Sequence, residues 1–295
     1  MIAGLWIVLG FAAGAVALAG VYFRRVWMPR PPLGVFNRSD VLIMMVAIAL
    51  LPYLYLALPL WLDGLVLGGL TLGILYVTLA PVPMPRAGLW LAILALVAAD
   101  LASWWRFGPT GAPFALVNDV VLTVTVVGVS NVWAQSGMKA RDAALLGGLL
   151  AIYDFVFTAQ LPLMNDLLTR LAALPFAPQV VWPIGPGQWV GLGLGDLLLA
   201  TAFPLVMRKA FGRSAGLAAS ATSLAVVGAL LGLAGLGMFG GAFPVMVVLG
   251  PCMVLQYGLW AHRRGQERTT WHYLQAEPLS GCHQERRKLV VRELA

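Results

Sequence analysis

The chain has 295 residues, of which 60% are hydrophobic and 11% charged, whereas a soluble domain carries about 25% charged residues. Its apolar runs continue for about twenty residues without alternating, which excludes an ordinary soluble fold and predicts an all-α polytopic membrane protein, not a barrel. The net charge of +7 is scattered over short loops and the C-terminal segment, with no aromatic-interleaved basic patch, so no nucleic-acid partner is expected.

Nine spans are predicted, near 2–23, 40–61, 63–80, 87–105, 114–133, 142–162, 189–207, 214–238 and 243–261. They make residues 1–261 a single transmembrane domain, followed by a basic cytoplasmic tail over 262–295. The first span has no basic residue before it and Arg24-Arg25 directly after it. A cleavable signal peptide shows the opposite order, so this is read as a retained span with its N-terminus outside. Loops after odd-numbered spans carry ten Lys and Arg, and those after even-numbered spans only Arg106 and Arg170. Positive charge marks the cytoplasmic side, which places the C-terminus there as well.

Several polar residues have plain readings. Asp63 falls in a short turn; Asp100, Asn118 and Asp119 fall near the outer ends of spans four and five, beside Trp104 and Trp105, where helix-end or packing roles are expected. Pro52 and Pro59 are read as kinks in span two. The long connection 163–188 is predicted to open with an amphipathic interfacial helix over 164–174. Pro175, Pro178, Pro183 and Pro186 then forbid helix, leaving either a mobile flap or a plain outer loop.

The tail holds His262, His272, Cys282 and His283 at spacings that match no compact metal-ligand pattern, so a solvated tail drawn to the anionic inner leaflet is expected. With Cys252 in a span and Cys282 in the tail, no disulfide framework is expected.

Two carboxylates stand apart from the rest. Asp154 lies inside Ala151-Ile-Tyr-Asp-Phe-Val156 and Asp196 inside Gly191-Leu-Gly-Leu-Gly-Asp196 followed by Leu197-Leu-Leu-Ala200. A charge at mid-bilayer costs ~2.5–3.5 kcal/mol on insertion scales, which makes both functional-site candidates. Helical rise puts Asp154 about 12 Å and Asp196 about 10 Å from the outer ends of antiparallel spans, hence at one level. Two such groups side by side in a low dielectric cannot both ionise, and the pair shares one proton. A dyad of this kind can hydrolyse an amide: the ionised carboxylate takes a proton from water and the protonated one donates to the scissile carbonyl. The glycines before Asp196 let a backbone approach closely. Structural aspartates satisfied within the bundle, or a proton-relay pair in a transporter, are the alternatives.

The Tyr153-Asp154 pair and Gly193-Leu194-Gly195-Asp196, 42 positions apart on adjacent spans of a nine-span chain, resemble the paired motifs of the GxGD-type intramembrane aspartyl proteases, the presenilin and signal peptide peptidase family. The resemblance implies that Asp154 and Asp196 are catalytic and that Tyr153, Gly193, Leu194 and Gly195 shape the substrate cleft. It also implies that transmembrane segments or remnant signal peptides are the substrates and that no cofactor is needed. The inferred orientation is similar to that of signal peptide peptidase. The family's third motif, Pro-Ala-Leu, has its best counterpart in Pro251-Cys252-Met253, where only the proline is kept. Pro251 is expected about 12 Å from the outer face, at the depth of the dyad, as a backbone-exposing break or as a plain kink. Leu58-Pro59-Leu60 has similar letters outside the motif order. The Gly-Leu-Gly-Asp segment is also similar to that of prepilin peptidases, but Leu198 stands where a Lys usually follows, and Asp154 lies deep in a span.

Overall fold

The structure, a computed structural model, describes residues 2–28, 36–160, 163–185, 188–238, 243–265 and 267. Helices α1 (Ile2–Arg25), α2 (Arg38–Ala57), α3 (Leu60–Leu79), α4 (Arg86–Phe107) and α5 (Ala112–Gln135) come first. Helix α6 (Ala140–Asp154) passes directly into a π-helical segment, Phe155–Gln160. Short helix α7 (Leu163–Ala172) leads to an antiparallel hairpin of β1 (Gln179–Gly185) and β2 (Gln188–Gly193). Helices α8 (Leu194–Phe211), α9 (Arg213–Gly235) and α10 (Met246–Arg264) complete the described chain.

The molecule is all-α apart from that hairpin. Six helices, α1–α5 and α9, are long and apolar enough to cross a membrane by length and composition. The remaining long helices are shorter or more polar. Helix α6 carries Arg141, Asp142 and Asp154 in fifteen residues, α8 carries Asp196, Arg208 and Lys209 in eighteen, and α10 ends on His262-Arg263-Arg264.

Burial explains that difference. Helix α8 is buried almost without a break from Leu197 to Phe211, and α5 is buried on most of its circumference. Because α5 is enclosed by protein, it tolerates Thr123, Ser130 and Asn131, whose side chains donate to the carbonyls of Asp119, Val126 and Val127 one turn back. Helices α2–α4 instead expose Leu, Val, Trp and Tyr on their outer faces, as a lipid-facing surface requires.

Two apolar cores result. The larger joins α1, α5, α6, α8, α9 and α10; the smaller lies among α3, α4, α5 and α7, with Leu75, Ile93, Leu171 and Phe176 inside it.

Several expectations are corrected. Pro59, expected to kink span two, stands between α2 and α3 as the residue that caps α3, and Asp63, expected in a short turn, lies in the first turn of α3. The seventh span was expected over 189–207, but residues 188–193 form β2 and the helix starts at Leu194. The reason is the strict alternation of Val190, Leu192 and Leu194 with Gly191, Gly193 and Gly195, a period-two pattern built on poor helix formers. The ninth span is displaced by three residues at each end, so the helix runs through His262 and the segment after it begins at Gly265. His272, Cys282, His283 and the rest of 268–295 lie outside the described residues. The amphipathic helix expected at 164–174 is α7, and the stretch after it is the hairpin, anchored as described next.

Candidate active site

Asp154 is the last α-helical residue of α6, at the point where the backbone widens into the π segment. Such widenings are frequent at functional sites because they re-aim side chains. One carboxylate oxygen, Oδ1, accepts from Thr158 Oγ1 at 2.8 Å, within that segment. The other, Oδ2, accepts from the backbone N–H of Met246, the first residue of α10, at 3.0 Å.

Asp196 is the third residue of α8, and its carboxylate folds back over Gly193, the residue capping that helix. The two aspartates lie within electrostatic reach of one another, both half-buried. Each carboxylate therefore sits at a helix N-terminus, Asp196 on α8 and Asp154 on α10. The partial positive charge of those ends favours anionic groups there and offsets part of the cost of burial.

The glycines before Asp196 have distinct roles. A Cβ on Gly191 would come within 2.5 Å of Val181 Cγ1 and 2.8 Å of Val180 O, so close pairing of the two strands needs glycine. A Cβ on Gly193 would lie 3.1 Å from Asp196 Oδ2, which folds back over it. Around Gly195 a Cβ would meet nothing within 4 Å: the backbone beside the dyad is open. Leu194, between them, is half-buried against the larger core.

Tyr153 points to α2. Its hydroxyl donates to Ile48 O at 3.4 Å, and its ring stacks on Phe157 at 4.5 Å, which in turn meets Tyr53 edge-on. Met253 is buried against Gly147 of α6, where an added Cβ would press on its thioether at 3.0 Å; Cys252 is half-buried. Pro251 lines an apolar groove of about 570 Å³ between α6 and α10, with Ala151, Ile152, Phe155 and Val247. It offers no N–H to the Val247 carbonyl one turn back. The expected match in depth is shifted: Met246 stands level with Asp154, and Pro251 lies five residues, about 7.5 Å, further along α10.

Asp63, Asp100, Asn118 and Asp119 do more than pack or end helices. Arg170 on α7 binds Asp63 Oδ2 through Nε at 2.9 Å and Nη2 at 2.8 Å, and also donates to Leu58 O. Trp104 Nε1 donates to Ala173 O at 3.0 Å. Asp100 Oδ1 accepts from the N–H of Phe176, a residue held at φ 59° with its ring in the smaller core. Asn118 Nδ2 donates to Ala177 O and Gln179 O, and Asp119 Oδ1 accepts from Val181 N–H at 3.2 Å. The signal was present in the sequence. A proline-rich segment at membrane depth leaves backbone groups unpaired, and buried carboxylates on adjacent spans are partners for them.

No protein-family model matches the chain, and no curated protein matches it in sequence.

Proposed function

We propose that the chain is an intramembrane aspartyl endopeptidase with nine spans, α1–α6 and α8–α10, its N-terminus outside and its C-terminus in the cytoplasm. The observation that supports this reading is that Asp154 and Asp196, two partly exposed carboxylates on separate helices, lie within electrostatic reach of one another, with the open backbone of Gly195 next to Asp196. Half-burial suits hydrolysis, because water must reach a site that lipid does not. One carboxylate takes the proton of a bound water as its oxygen attacks the scissile carbonyl; the other, protonated, donates to the carbonyl oxygen. Collapse of the tetrahedral species releases the amine with return of a proton.

Substrates in this reading are transmembrane segments or remnant signal peptides. They are unwound locally so that a carbonyl reaches the pair, and their extended backbone pairs with an edge of the hairpin. Tyr153, Gly193, Leu194 and Gly195 shape the cleft, and Pro251, Cys252 and Met253 stand on the facing helix. The test is cleavage of a single-span substrate in proteoliposomes by wild type and Asp196→Ala. Loss of at least ~100-fold in rate is expected for removal of one member of the pair. Undiminished cleavage by Asp196→Ala would remove that residue from the mechanism.

A further inference from the structure

We propose that Asp119 and its neighbour Asn118 are positioning residues for Asp196: by holding the first strand of the hairpin against α5, they set where the Asp196 carboxylate stands opposite Asp154. The functional consequence rests on the protease reading; the anchoring itself does not.

The connection can be followed residue by residue. Asn118 and Asp119 grip Ala177 O, Gln179 O and Val181 N–H, which are alternate residues along one edge of β1. The intervening Pro178 turns its carbonyl the other way, accepting from Leu194 N–H at 3.0 Å, the first residue of α8. Strand register then aligns Val181 with Gly191 and Gln179 with Gly193. The Asp196 carboxylate in turn folds back over Gly193, its Oδ2 3.1 Å from where a Cβ on that glycine would stand. Thus α5 side chains and the catalytic candidate are joined through one strand pair, which the missing side chain of Gly191 keeps tight.

Packing of α8 from Leu197 onward fixes the backbone of Asp196, but its carboxylate rests against Gly193, and Gly193 belongs to the hairpin. Asp154 is held through Thr158 and Met246, on other elements. The two acids are therefore carried by separately anchored parts. A fully buried carboxylate at 0% exposure is a costly way to bind one N–H, and it is explained if the register of that strand matters.

The experiment uses the full chain in proteoliposomes, with Cys252→Ser and Cys282→Ser, and with Asp154→Cys and Asp196→Cys joined by a short thiol-to-thiol crosslinker. This reads their juxtaposition without catalysis. Adding Asp119→Leu should slow crosslinking about tenfold, the effect of losing one buried hydrogen bond, and Asp119→Asn, which keeps an acceptor oxygen, should restore it. In the chain with both catalytic aspartates intact, Asp119→Leu should lower kcat about tenfold while KM stays within about threefold. Crosslinking or kcat unchanged by Asp119→Leu would overturn the proposal. If that variant does not fold, Asn118→Leu, which removes only the contacts to Ala177 and Gln179, is judged by the same criteria. A wild type that cleaves nothing would sink the protease reading, and the positioning claim would then stand or fall on crosslinking alone.

Discussion

Asp154 and Asp196 differ from Asp63, Asp100 and Asp119 in what surrounds them. The members of the first pair are partly exposed, stand at two helix N-termini and lie within electrostatic reach of one another. The other three are fully buried, and each spends one oxygen on the stretch that runs from α7 into β1: Asp63 on Arg170 of α7, Asp100 on Phe176 N–H, Asp119 on Val181 N–H of β1. All five interrupt apolar spans, so a count of intramembrane charges does not separate them. Partial exposure and the presence of a second carboxylate within electrostatic reach do. An acid that tethers backbone is best sealed in, whereas an acid that handles protons needs water beside it.

The sharpest separation is in stability. Asp63→Leu strands the Arg170 guanidinium, whose side chain is only 25% exposed, and should cost roughly 2–4 kcal/mol. The double change Asp63→Leu with Arg170→Met should recover most of that loss, because breaking a buried pair is worse than replacing both members. Asp154→Asn should cost less than about 1 kcal/mol. Its amide oxygen still accepts from Met246 N–H, and the Thr158 hydroxyl can turn to accept from the amide nitrogen. Thermal unfolding in one detergent measures all three. Equal losses in Asp63→Leu and Asp154→Asn would erase the distinction between tether and dyad.

Much of this was legible in the sequence. The helical membrane class, the amphipathic α7 and the two aspartates follow from apolar run length and from charges that such runs do not tolerate without reason. Two things were hidden. Residues 189–193 read as helix because Val190, Leu192 and Leu194 look like any apolar run, and the alternating glycines that mark a strand read equally well as room for a substrate backbone or a neighbouring helix. The tethering roles of Asp63, Asp100 and Asp119 were hidden because their partners lie up to 107 residues away in sequence, on a segment whose path only the assembled bundle defines.

The glycines before Asp196 offer a second way to divide scaffold from site. Gly191→Ala drives a methyl group into Val181 and the Val180 carbonyl, and backbone on one side leaves little room to yield. A stability loss of about 1–3 kcal/mol is expected, as for overpacking elsewhere. Gly195→Ala meets open space and sits in the first turn of α8, so stability should be unchanged or slightly raised. Cleavage should nonetheless fall in Gly195→Ala if a substrate backbone passes over that residue. Denaturation midpoints and cleavage rates of the two variants check this. Similar stability losses in both would mean that the two glycines serve packing alike.

Tyr153 sets the smallest expected effect. It adjoins Asp154 in sequence, yet its hydroxyl is spent on Ile48 O across a long 3.4 Å contact, and its ring stacks on Phe157. Tyr153→Phe keeps the ring and the stack and removes only that long hydrogen bond, for which about 1 kcal/mol is expected. The carbonyl left behind is the one that Pro52, four residues on in α2, cannot pair with, so Tyr153→Phe removes the donor that Ile48 O has in place of its helical partner. Cleavage should accordingly stay within a few-fold of wild type, whereas Tyr153→Ala, which empties the contact between α6 and α2, should lose several kcal/mol, in the usual range for aromatic-to-alanine changes. The comparison of the two variants decides where this tyrosine acts. A large loss of kcat in Tyr153→Phe with unchanged stability would move its hydroxyl from the α2 contact to the dyad, and would require α6 to turn about its axis when substrate binds.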